Sequence, residues 1–272
     1  MNVGIPFALA SGVTNGVGYT VQKRSLDRVG TAYCSSPVWW VGLLLLIGAE
    51  VMGGVSYAWV PASVVVSLSS LSIVSSTLFA SVRERVSLRS WVACGMIVLG
   101  CAMLGLATPD VDTLPTPASL ERDLFRFESI VFQVYGVAFC LVLHAFFLHR
   151  MSALAAYAGV VSSITSVYFR YLVTTLLAMD WSAFGRAAPY VSLLVVVTSG
   201  PYAAAYLEPL GLRRYSQSAW VPVHFASCLI AFGVAGEIVF EDFQRSNIGP
   251  FGVLLVGLGV LDVTWGIFLV EA

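Results

Sequence analysis

Residues 38–58 read VWWVGLLLLIGAEVMGGVSYA, a run of apolar and small residues with a single charge, Glu50. About 20 apolar residues cross the hydrocarbon core of a bilayer. In hydrocarbon every backbone N–H and C=O needs an internal partner, and a helix supplies them all within one segment. The run is continuous and does not alternate with period two, so it reads as a membrane helix and not as a barrel strand. The whole chain has the same character: of 272 residues 58% are hydrophobic and 11% are charged, with net charge −1. A soluble domain carries about 25% charged residues, so an ordinary soluble enzyme is excluded. The 14 Lys and Arg residues form no dense basic run, which leaves no electrostatic footprint for nucleic acid.

Windows of the same size predict nine spans, at residues 3–20, 38–58, 61–81, 90–108, 129–148, 153–178, 187–208, 218–240 and 248–270. The fold class expected is therefore all-α, a polytopic membrane protein forming one transporter domain over 1–272. No basic residue precedes the apolar part of the first segment, and Lys23 and Arg24 follow it, so it is expected to be a retained helix rather than a cleaved signal. The longest connection, 109–128, leaves no room for a large soluble domain. Lys23, Arg24, Arg28, Arg83, Arg85, Arg89, Arg150, Arg213 and Arg214 fall in odd connections, against Arg122, Arg126, Arg186 and Arg245 in even ones. The basic bias toward the cytoplasm then puts the amino terminus outside. Cys94, Cys101, Cys140 and Cys228 lie within spans and Cys34 in a loop, with no CxxC, so the cysteines imply neither a disulfide framework nor a zinc site.

Spans three and four, and again spans eight and nine, pair a hydroxyl-bearing or Pro-broken helix with a Gly-rich one. The intervening turn is acidic each time, with Glu84 in the first unit and Glu241 and Asp242 in the second. An offset of five crossings turns the second unit upside down, so an inverted repeat of helices 1–4 (residues 1–108) and 6–9 (153–270) is expected, with helix 5 (129–148) as connector.

At these residues the chain resembles the NIPA-type magnesium transporters of the drug/metabolite transporter superfamily. WWVGLLLLIGAE (39–50) is similar to that family's WWxGL...GE motif, and SYAWVPA (56–62) continues it. VQKRSL (21–26) resembles its basic ending of the first span. AYLEPL (205–210) resembles YLNKAL, WVPVHF (220–225) resembles VTPxYYV, and IVFEDF (238–243) resembles ILFKEW. The chain departs from the family pattern at Gly53, where the pattern has Asn, at Ser67 (Pro), Arg170 (Lys), Glu208 (Asn) and His224 (Tyr). The resemblance implies Mg²⁺ or a related divalent cation as cargo. It implies a multi-pass protein of the plasma or endosomal membrane, with a homodimer allowed.

An ionisable side chain in the apolar part of a span costs about 2.5–3.5 kcal/mol on insertion scales and marks a candidate site. Glu50, Arg170, Glu208 and Asp262 are such positions. Glu50 and Asp262 are the candidate metal contacts, assisted by Glu208 along a cation pathway. Arg170 is the candidate gate or charge partner. The alternatives are a Glu50–Arg170 tether, a Glu208 that snorkels to the interface, and an Asp262 held in an interhelical hydrogen bond. Ser69 and Ser72 share a helix face with Ser76, suited to lining a wet cavity or to close helix approach. Pro61 and Pro222 are expected helix breaks. Glu237 reads as an exposed helix end, and His144 and His224 as packing residues. The connection from Asp110 to Glu128 carries five acids against Arg122 and Arg126, either a cation-attracting mouth or a solvated loop.

Mg²⁺ takes oxygen ligands and dehydrates reluctantly, which suits carboxylates and hydroxyls, whereas an anionic cargo needs more intramembrane cations than Arg170. No Walker loop, HExxH or nucleophile elbow is present, so neither an enzyme nor a resident cofactor is called for. A gradient or the membrane potential is the expected driving force. Two alternatives are a carrier of a small organic metabolite and a non-transporting membrane scaffold.

Overall fold

The computed structural model describes residues 4–56, 59, 60, 65, 68, 70–82, 84–107, 116–146, 148–240, 258, 259 and 265. Among the described residues all regular structure is helical. In chain order the helices are α1 (Gly4–Val29), α2 (Pro37–Ser56), α3 (Leu71–Ser81), α4 (Leu88–Ala107), α5 (Pro117–Leu124), α6 (Phe127–Phe146), α7 (Met151–Leu177), α8 (Ala188–Arg214) and α9 (Gln217–Phe240). Short 3₁₀ turns cover Gly30–Ser35 and Trp181–Gly185. Five helices, α2 and α6 to α9, are long and apolar enough to cross a membrane, and two shorter apolar stretches lie at Leu71–Ser81 and Leu88–Met103. Apart from Leu258, Gly259 and Trp265, the expected span at 248–270 lies outside the described residues, Asp262 included, as do Pro61 and Ser69.

α1 is long enough to span but is not apolar enough to stand among the five. Its inward face explains why. Gly4, Ala8, Gly12 and Gly16 repeat every fourth residue, and Asn15, Tyr19, Gln22, Ser25 and Leu26 continue the buried stripe. Small residues let α2 and α3 approach closely. A Cβ on Gly42 would stand 2.9 Å from Gln22 N and 3.1 Å from Gly18 O, and one on Gly12 would stand 3.1 Å from Leu71 Cβ.

The second half packs in the same manner around α7, which lies against α8 and α9. A Cβ at Gly159 of α7 would come 2.8 Å from the carbonyl carbon of Ser227 on α9. α6 is the most peripheral of the five long helices: 11% of its residues are buried, against 44% in α7 and in α9. The two halves meet where α1 touches the end of α8 and the start of α9, where α2 touches α7, and where α3 touches α9. Lys23 Nζ donates to Leu212 O (2.7 Å), placing a cation on the carbonyl end of α8. Gln217 Nε2 donates to Thr20 Oγ1 (2.8 Å) and to Ser76 O (3.1 Å), joining α9 to α1 and α3.

Two features depart from simple apolar windows. The connection at 109–128, read from sequence as a loop, contains the short helix α5. Its start is built by Pro117 in the first turn and by Thr116, whose Oγ1 accepts from Ser119 N (3.3 Å). Eight residues are too few to register in a span-sized window. Pro222 lies inside α9, which runs unbroken through it. At the sixth position of the helix it removes one backbone bond near the amino end.

The contact at Gly159 is testable. Gly159→Ala pushes a methyl group into the α9 backbone and should destabilise the fold by about 1–3 kcal/mol. Gly48→Ala, with nothing within 4 Å of the added Cβ, should leave thermal unfolding in detergent unchanged. Equal melting temperatures for the two variants would contradict the packing of α7 on α9.

Candidate functional site

α8 loses its regular hydrogen bonding near its middle. Pro201 has no N–H to bond Val197 O, and residues Ala203–Leu207 form a π turn, a local widening frequent at functional sites. Pro209 likewise cannot serve Ala205 O. That acceptor is taken by Tyr33 Oη of the Gly30–Ser35 turn at 3.2 Å. Glu208 is the first residue after the π turn and is 8% exposed.

Around Glu208 the seam between the halves gathers polar side chains. The Tyr19 hydroxyl of α1 lies beside its carboxylate, and Glu50 of α2 lies within electrostatic reach. His224 Nε2 of α9 stands 3.8 Å from Glu208 Oε1. Cys228 Sγ, one turn further on, is 3.7 Å from His224 Nε2 and has Ser162 of α7 beside it. The imidazole is stacked on Trp220 (5.4 Å, 12°) and meets the edge of Tyr19 at 6.4 Å. Trp220 is completely buried and rests against Gly211, where a Cβ would collide with the indole. Glu208 Oε2 is buried and has no hydrogen-bond partner. Among the described residues no three His, Cys, Asp or Glu side chains converge closely enough to hold a metal by themselves.

Glu50 has a different setting. By helical spacing it shares a face with Trp39, Leu43, Leu46 and Gly54, all of them buried. Glu50 is nevertheless exposed, with the Asn15 side chain beside its carboxylate.

The expected site residues therefore separate. Glu50 and Glu208 come together, through Tyr19. Arg170 is buried in α7, and among the described residues no ion pair joins it to Glu50 or Glu208. Ser72 is fully buried on α3 with an unpartnered Oγ, while Ser76 Oγ bonds back to Ile73 O at 3.1 Å. In the outer connection Glu121 pairs with Arg186 (2.9 Å), Glu128 pairs with Arg126 (3.1 Å), and Asp123 is buried. These three acids are paired or enclosed, while Asp110 and Asp112 of the same connection lie outside the described residues.

Asn15 and Tyr19, one turn apart on α1, carried no signal in sequence because neither is formally charged. His224 did carry one: Trp220, His224 and Cys228 recur every fourth residue and so share one face of α9. His144, its sequence counterpart, is exposed on α6.

The difference between the two acids predicts their reactivity. With Cys34 replaced by Ser, Glu50→Cys should be labelled readily by a small water-soluble methanethiosulfonate, and Glu208→Cys should stay protected over the same period. The reverse order would contradict the exposure of Glu50 and the burial of Glu208.

A model of the family described as "Magnesium transporter NIPA" matches residues 1–272. Among curated proteins, the chain is 23% identical over 265 residues to Probable magnesium transporter NIPA5 of Arabidopsis thaliana, covering 90% of this chain and 68% of that protein. It is 24% identical over 276 residues to Probable magnesium transporter NIPA6 of the same plant, covering 93% and 83%. To Magnesium transporter NIPA3 of Homo sapiens it is 23% identical over 291 residues, covering 99% and 70%. No solved structure matches the chain.

Proposed function

The chain belongs to the magnesium transporter NIPA family, and from that membership we propose that it carries Mg²⁺ or a related divalent cation along the seam between its two halves. The observation that carries this reading is Glu50, an exposed acid on a helix face that is otherwise buried, and the reading makes that opening a cleft along the seam. A hydrated Mg²⁺ needs a few oxygen donors and room to keep its water. Glu50 supplies the attracting charge, and Asn15, Tyr19 and Glu208 supply further polar atoms along the same seam. Asp262 and Ser69 belong to the proposed path by sequence, and Ser72 brings a buried hydroxyl with no partner to its α3 side. Arg170 is proposed to tune or close the site from α7.

The driving force proposed is the membrane potential or an ion gradient. A divalent cation moving inward gains about 4.6 kcal/mol per 100 mV, twice the value for one charge, so uptake needs no coupled chemistry. Nine spans in an inverted repeat, with α6 as connector, would let one half rock against the other around a fixed seam. The widened, proline-flanked part of α8 supports this, since a helix with fewer backbone bonds bends at less cost.

The test is uptake by the full chain reconstituted in vesicles under an imposed inside-negative potential. Glu50→Gln keeps size and polarity and removes one charge from the ion's path. It should lower initial Mg²⁺ uptake by about tenfold or more, the equivalent of at least about 1.4 kcal/mol. Unchanged uptake would remove Glu50 from the path.

A further inference from the structure

We infer that Glu208 and His224 form a nitrogen–oxygen coordination position that takes a first-row transition dication (Co²⁺, Ni²⁺ or Zn²⁺) more tightly than Mg²⁺. The inference rests on the seam being a cation path. His224 Nε2 and Glu208 Oε1 face each other at 3.8 Å, too far for a hydrogen bond. An ion bonded to each at about 2.0–2.2 Å bridges that separation. Both residues are nearly sealed, at 2% and 8% exposure, and Glu208 Oε2 is buried with no hydrogen-bond partner. An unpartnered buried carboxylate oxygen is costly to leave unsatisfied, and a metal held by both oxygens of the carboxylate would satisfy it.

The imidazole is not free to turn away. Its face is held on Trp220, and Tyr19 and Phe225 meet it edge-on at 6.4 and 5.8 Å. A ring so clamped keeps Nε2 directed at the carboxylate and loses little entropy on binding. Cys228 Sγ lies 3.7 Å from the same nitrogen, so the softest atom of the seam borders the position as well.

Donor chemistry then separates the cargoes. Mg²⁺ prefers oxygen and water, and imidazole adds little to its affinity. Imidazole and thiolate suit Co²⁺, Ni²⁺ and Zn²⁺, and intrinsic affinity for nitrogen donors rises along the first-row series. Because no three such side chains converge among the described residues, these two protein groups hold the ion less firmly than a full protein cage would. A carrier gains from that arrangement, since the cargo has to leave again.

The experiment offers Co²⁺ and Mg²⁺ together to vesicles holding the full chain or its His224→Gln variant, and records the visible spectrum of the purified proteins with Co²⁺ added. The native chain should take up Co²⁺ in preference to Mg²⁺, with a spectrum that departs from aqueous Co²⁺. His224→Gln should lower the Co²⁺ to Mg²⁺ uptake ratio by about tenfold or more and return the spectrum toward the aqueous form. A ratio unaffected by the substitution, or an aqueous spectrum from the native chain, overturns the inference. If Mg²⁺ uptake still depends on Glu50 in that case, the proposed function stands without it. Where His224→Gln fails to fold, the spectrum of the native chain decides alone.

Discussion

Glu50 and Glu208 lie within electrostatic reach of each other inside a bundle of apolar helices. Each ionisable group so placed costs about 2.5–3.5 kcal/mol on insertion scales. Neither is paired with Lys or Arg among the described residues. Stability alone has no use for such a pair, because apolar residues of the same volume would pack more cheaply. In the proposed path the cost is offset by water reaching Glu50, by the polar side chains of Asn15, Tyr19 and His224, and by a cation when one is bound.

The rest of the fold serves that seam. The small-residue face of α1 brings α2 and α3 close, so that Asn15 and Tyr19 reach Glu50 and Glu208. Tyr33 and Lys23 satisfy carbonyls that the irregular α8 leaves without helical donors, allowing the helix to widen just before Glu208. Trp220, fixed against Gly211, holds His224 in place. Contacts from α1, α2, α7 and α9 thus converge on one short stretch, and a movement of either half changes the distance between the two carboxylates.

Much of this could be read before any coordinates, and the divide follows the physics. Long apolar windows expose α2, α6, α7, α8 and α9 because hydrocarbon imposes length and composition on a span. The charged candidates Glu50 and Glu208 stood out for the same reason: an acid in such a window is rare. α5 escaped because it is held by a cap and a proline, signals of a few residues rather than twenty. Asn15, Tyr19 and the clamp on His224 escaped because their roles arise from contacts between helices, Asn15 with Glu50 of α2 and Tyr19 with Glu208 of α8 and His224 of α9. The acids of the outer connection were set in sequence against Arg122 and Arg126 alone, yet Arg186, which pairs with Glu121, comes from a later connection of the chain.

One measurement bears most directly on the claim that the seam holds a cation. Mn²⁺ is an oxygen-preferring dication that scatters anomalously, so its position can be located in crystals of the full chain in lipid. An anomalous peak bounded by Asn15, Tyr19, Glu50 and Glu208, lost in Glu50→Gln crystals, is the result expected. Peaks confined to the exposed surface, with the cleft beside Glu50 empty of metal, would contradict the account.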